Sequence, residues 1–123
     1  MSDPPQVTIV DDDPSVRKAL GRLCKTAGYS VKLYDSGESF SDAEINAETD
    51  FLILDVNLPG KSGLELQAEL AAAGTHCPIL FITAYEDESA RRRAIEGGAI
   101  DFLGKPLDVD RLLDLIGEVL SGE

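Results

Sequence analysis

Short apolar runs of strand length recur along this chain, each followed by a segment of helical periodicity, and this alternation limits the possible folds severely. Phe51–Leu54 and Ile79–Ile82 are wholly apolar, as strands buried on both faces must be. Val7–Val10 reads as a third strand, the more polar Val31–Tyr34 as an edge strand, and Asp101–Gly104 as a short one closed by Lys105-Pro106. Val16, Leu20, Leu23, Cys24 and Ala27 recur at helical spacing. Asp13-Pro14 supplies a start signal and Gly28 a stop. Ser36–Ile45, Leu64–Ala73 and Glu88–Glu96 read as three more helices, the last closed by Gly97-Gly98. Val109, Leu112, Leu113, Ile116 and Leu120 form the apolar stripe of a fifth. Five strands alternating with five helices predict an α/β fold: a doubly wound, five-stranded parallel sheet covered on both faces. At 123 residues and 43% hydrophobic, the chain has material for one such core. Residues 1–123 are therefore read as a single domain, with a core over about 6–121 and residues 1–5 flexible.

In open sheets of this kind, ligands sit beyond the carboxyl ends of the strands, where strand order reverses. Polar residues collect there. Asp11 and Asp12 follow the first strand, Asp55 the third, Thr83 the fourth and Lys105 the fifth. In the order 2-1-3-4-5 the first and third strands are neighbours, so Asp11, Asp12 and Asp55 should meet. Two unit charges 4 Å apart at an effective dielectric of 20 repel by about 4 kcal/mol. A proton or a cation must relieve three such carboxylates. An incomplete, all-oxygen site suits Mg²⁺, which keeps several waters that a phosphate oxygen can replace. Lys105 adds a positive charge and Thr83 a hydroxyl, so the set can hold a phosphoryl group. Each residue also has an ordinary reading. Asp11–Asp13 can be a solvated acidic turn, Asp13 a helix cap, Asp55 a turn cap, Thr83 a strand end and Lys105 a surface residue. The convergence of all these places on one edge favours the site.

Charge narrows the partners. There are 23 acids against 11 bases, a net charge of −12. That balance disfavours direct nucleic-acid binding and an anionic membrane surface. Apolar runs of strand length predict no membrane span. Cys24 and Cys77 match no metal spacing, and Met1–Gln6 shows no basic and apolar targeting pattern, so a reducing, cytoplasmic setting is expected. Cys24 falls in the apolar stripe of the first helix. Cys77 and His76 are read as loop residues without a role.

Val10-Asp11-Asp12-Asp13, Leu54-Asp55-Val56-Asn57-Leu58-Pro59-Gly60, Ile82-Thr83-Ala84 and Phe102-Leu103-Gly104-Lys105-Pro106 together resemble the signature segments of bacterial response-regulator receiver domains. The resemblance covers about residues 6–121. Asp101-Phe102 before the lysine and Asp108 after the proline are similar to the FixJ type. The resemblance implies a flavodoxin- and CheY-like (βα)5 fold and a phosphorelay function. Asp55 would accept a phosphoryl group from a sensor histidine kinase or a histidine phosphotransfer protein. Mg²⁺ would be held by the Asp12 and Asp55 side chains and the Asn57 backbone carbonyl, with Asp11 acting through water. Lys105 would contact the phosphoryl oxygens, Thr83 would swing toward them, and Phe102 would follow inward as the aromatic switch. The Lys105-Pro106 bond would be cis. The changing surface would be the last two helices and the fifth strand, a face that can pair two copies on phosphorylation. Arg91-Arg92-Arg93 lies there, as an acid-binding patch or a solvated face. The apolar ridge of the first helix, ringed by Arg17, Lys18, Arg22 and Lys25, would receive the kinase. Asn57 and Tyr85 would tune hydrolysis, with Tyr85 shielding the acyl phosphate. The domain would catalyse only its own phosphotransfer and dephosphorylation. Both a stand-alone regulator and a piece of a transcription factor or hybrid kinase fit this pattern.

Three other readings compete with this one. Gly60-Lys61-Ser62 matches the end of a P-loop, but Asp55 stands where that motif needs glycine. A haloacid-dehalogenase-like aspartyl phosphatase needs a second acid two residues after its nucleophile, and Asn57 is there instead. A phosphorylation-independent binding module would be expected to have lost parts of the acid pocket, and Asp11, Asp12, Asp55, Thr83 and Lys105 are all present.

Overall fold

A computed structural model describes residues 4–44, 49–85 and 87–121, the side chains of 41–44 apart. Ile45, the expected end of the second helix, and Met1–Asp3, part of the segment expected to be flexible, lie outside the described residues. Five strands and five helices alternate: β1 (Gln6–Val10), α1 (Pro14–Thr26), β2 (Ser30–Tyr34), α2 (Gly37–Glu44), β3 (Phe51–Asp55), α3 (Gly63–Ala72), β4 (Ile79–Thr83), α4 (Glu88–Glu96), β5 (Asp101–Gly104) and α5 (Val109–Leu120). The strands form one parallel sheet in the order β2-β1-β3-β4-β5.

Strand alternation sorts the core into two layers, because successive side chains point to opposite faces. Phe51, Ile53, Leu80 and Ile82 pack with Leu20 and Cys24 of α1 and Leu112 and Ile116 of α5. Leu52, Leu54 and Phe81 pack on the other face with Phe40 of α2, Leu66 and Leu70 of α3 and Ala90 and Ala94 of α4. Right-handed crossovers divide helices this way when strand order reverses between β1 and β3. β3 and β4 are buried throughout, and β2 is the exposed edge. Each fully buried Leu, Ile or Phe contributes roughly 1.5–3 kcal/mol. Cys24 is fully buried, and burial pushes its thiol up to about 11.

Side-chain caps fix where helices begin. Asp13 accepts from the Ser15 N–H at 2.8 Å with Pro14 in the first turn, Asp87 from Ser89 and Ala90, and Asp108 from Arg111. Ser62 and Glu65 form a reciprocal capping box on α3. Part of the acidic surplus therefore sits at helix N-termini, where the backbone dipole favours it. Gly28 ends α1 with φ +99°, a conformation that side chains rarely adopt. The Gln67 amide, buried on α3, donates to the Ala94 carbonyl at 3.0 Å and ties α3 to α4. No helix among the described residues is long and apolar enough to cross a membrane.

Candidate functional site

Strand pairing places the acids. β1 and β3 are neighbours, so the residues that follow Val10 and Leu54 emerge side by side. Asp55 is the last residue of its strand, opposite Ile82, and the sheet ladder holds it in place. Asp11, Asp12 and Asp55 each offer a carboxylate oxygen, and the three lie within 4.8 Å of one another. Asp11 and Asp55 are buried, whereas Asp12 is exposed. Asp11 Oδ1 accepts from the Asp13 N–H at 2.8 Å, and Asp55 Oδ1 from the Asn57 N–H at 2.9 Å. Lys105 comes from the end of β5, anchored by its own N–H on the Thr83 carbonyl at 2.7 Å and followed by a cis Lys105-Pro106 bond. Its Nζ lies 2.9 Å from Asp11 Oδ2 and 3.0 Å from Asp55 Oδ2.

The balance of charge is incomplete. Burial pushes the Asp55 carboxyl above its ordinary value. The Asn57 N–H and the Lys105 ammonium pull it back only in part, and the Asp11 charge adds to the rise. Burial also works against the Lys105 ammonium, but Asp11 and Asp55 outweigh it and hold its pKa above the usual lysine range. Asp11 Oδ2 is buried and is met by that ammonium alone, as an ion pair without the alignment of a hydrogen bond. Three carboxylates against one ammonium leave two negative charges. A divalent ion with oxygen ligands fits both the charge and the all-oxygen donor set, and Mg²⁺ is the ion such a set suits.

Thr83 closes β4 and is buried. Its Oγ1 accepts from Asn57 Nδ2 at 3.0 Å and from the Tyr85 N–H at 3.1 Å, and donates to the Tyr85 carbonyl at 2.9 Å. A cleft of about 530 Å³, lined by Thr83, Asp87, Glu88, Arg91, Phe102 and Gly104, opens between α4 and β5. Phe102 departs from expectation. It is 7% exposed and packs 6.3 Å from the Phe81 ring centroid, so the inward movement foreseen for it has no outward starting point here. Asp101 Oδ1 holds its N–H and Arg91 its carbonyl, which fixes the strand that carries the ring.

Two further readings need adjustment. The apolar ridge of α1 is largely given to the sheet: Leu20 and Cys24 are buried, and Val16 and Leu23 half-buried against the same core. Arg17, expected on a docking rim, donates to the Asp11 carbonyl at 2.8 Å and braces the acid loop. Lys18, Arg22 and Lys25 remain exposed. Arg91 bonds the Phe102 carbonyl at 3.1 Å, so the three arginines of α4 are not equivalent. Tyr85 is 72% exposed.

Sequence reading missed the Asn57 carboxamide as a partner of Thr83 and the role of Gly63. A Cβ on Gly63 would collide with the Asp55 backbone carbonyl, so only glycine lets α3 start this close to the acid. Glycine in a first helical turn, where alanine is the better helix former, was the available signal. Glu38 of α2 was also missed. It accepts from the Lys61 N–H at 3.0 Å and so holds the loop that carries Asn57, and that bond lowers its pKa.

Residues 7–117 match the family model of the response regulator receiver domain. The chain is 42% identical over 110 residues to nodulation protein W of Bradyrhizobium diazoefficiens, covering 89% of this chain and 48% of that protein. It spans about half the length of the curated relatives it matches. The solved structure of response regulator StyR has a TM-score of 0.87 at 41% identity, covering 96% of this chain and 60% of that one. That of FixJ-N has a TM-score of 0.87 at 30% identity, covering 100% and 98%.

Proposed function

The chain belongs to the response regulator receiver domain family of two-component signalling, and from that premise we propose that it takes a phosphoryl group onto Asp55. A phosphohistidine on a sensor kinase or phosphotransfer protein is the donor. An Asp55 oxygen attacks phosphorus, the P–O bond forms as the P–N bond breaks, and the histidine ring leaves with the electron pair. Water later attacks the same phosphorus, releasing inorganic phosphate and restoring the carboxylate.

The observation that carries this reading is the meeting of three carboxylates within 4.8 Å with one ammonium, 2.9 and 3.0 Å from two of them, to balance them all. Asp12, Asp55 and the Asn57 carbonyl would hold Mg²⁺, with Asp11 acting through water. The ion supplies charge neutralisation as the phosphoryl group arrives. Lys105 steadies the phosphoryl oxygens from the opposite side. Thr83 turns its hydroxyl toward them, and the surface of α4, β5 and α5 responds, with pairing of two copies as one outcome. A kinase would dock at the exposed rim of α1, where Lys18, Arg22 and Lys25 lie. The domain acts on no substrate other than its own phosphoryl group.

Incubation with acetyl phosphate and Mg²⁺ should add one phosphoryl mass. Asp55→Asn or a chelator should abolish the gain. An unchanged mass in the wild type, or a gain that survives Asp55→Asn, would sink the reading.

A further inference from the structure

If Asp55 is the phosphoacceptor, Thr83 must change partners to serve the incoming group. A threonine hydroxyl has one proton to donate and two lone pairs that accept. All three are engaged, by Asn57 Nδ2, the Tyr85 N–H and the Tyr85 carbonyl. Thr83 is 2% exposed, so its hydroxyl does not face bulk water. Its proton is committed to a carbonyl and not to Asp55.

The two Tyr85 groups belong to the same loop as Thr83. Asn57 does not; it follows β3, and its own N–H donates to Asp55 Oδ1 at 2.9 Å. One residue thus touches the phosphoacceptor through its main chain and the switch hydroxyl through its side chain. Asn57 is exposed, so water can satisfy its amide when Thr83 leaves. Release is therefore inexpensive and reversible.

The geometry points to the Asn57 carboxamide as a latch on the switch: it holds Thr83 in the resting orientation and lowers the fraction of molecules ready to receive a phosphoryl group. Asn57 is a positioning residue that acts through Thr83. This rests on the phosphoacceptor reading above and adds what sets the poise of the resting state.

Beryllofluoride, a phosphoryl mimic, tests the latch in the full chain with Mg²⁺. Apparent affinity scales with the fraction of competent molecules. Asn57→Ala should bind the mimic roughly two- to tenfold more tightly, the range expected for losing one hydrogen bond. Its Tyr85 amide NMR signal, without mimic, should already be displaced toward the mimic-bound position. In a Thr83→Ala background the same Asn57 substitution should have no effect on mimic affinity. An equal gain in that background, or no gain in the single variant, overturns the latch alone. Failure of the wild type to bind the mimic overturns the phosphoacceptor reading and the latch with it.

Discussion

The sheet carries an ion pair at each of its edges, and the two behave oppositely. At the amino edge, Arg111 of α5 meets Asp101 at the start of β5, 2.7 Å apart, with the arginine 56% exposed. Burial pushes the Asp101 carboxyl up, but the Phe102 N–H and Arg111 outweigh it and leave its pKa low. At the carboxyl edge, Lys105 faces Asp11 and Asp55 together, and the Asp55 pKa ends high. Similar chemistry gives opposite signs because burial outweighs the donors at Asp55 and not at Asp101, and because Lys105 is divided between two buried acids. The amino-edge pair is complete. The carboxyl-edge cluster holds a repulsion that a further cation can relieve.

Lys105→Met should break that contrast most strongly. Without metal it leaves two buried acids uncompensated and should cost up to about 3 kcal/mol in urea unfolding. Saturating Mg²⁺ should recover most of the loss. An equal loss with and without Mg²⁺ would mean that the ammonium does not balance the acids.

Asp55→Asn acts in the other direction. A carboxyl whose folded pKa is raised favours folding below its unfolded value, and that contribution disappears as pH rises through the folded one. In metal-free buffer at pH 7 the variant should therefore exceed the wild type by on the order of 1 kcal/mol. The gain should shrink as pH falls toward about 4, the ordinary aspartate value. A gain that is flat with pH would remove the electrostatic explanation.

Arg111→Ala should have the smallest effect, close to the limit of detection in urea unfolding at neutral pH. Because the folded pKa of Asp101 is depressed, its contribution is present above the unfolded value and fades as pH falls through the folded one. A loss as large as that of Lys105→Met would show that the exposed pair is no mere surface contact.

The fold was legible because β3 and β4 are unbroken apolar runs and because Asp13, Gly28 and Gly97-Gly98 punctuate the helices where sequence rules place them. The ends of β3 and β4 were read one residue short. Asp55 and Thr83 continue the ladder opposite Ile82 and Gly104, since backbone pairing does not need an apolar side chain. Site residues taken to follow the strands are therefore partly inside them, which gives the site its rigidity. Asp11, Asp12, Asp55, Thr83 and Lys105 were found because strand order alone brings them together. Contacts that depend on side-chain reach were not: Asn57 on Thr83, Arg17 on the Asp11 carbonyl, Glu38 on Lys61. They join separate segments and leave no periodic trace.

The depth of Cys24 makes the chain convenient to tag. Only a thiolate attacks a maleimide readily, and at neutral pH almost none of Cys24 is in that form or within reach. Burial raises the Cys77 thiol as well, but Cys77 is only half-buried just before β4, at the amino end of the sheet, opposite the acids. A dye placed there with limiting reagent would report on unfolding from the end of the sheet away from the acids.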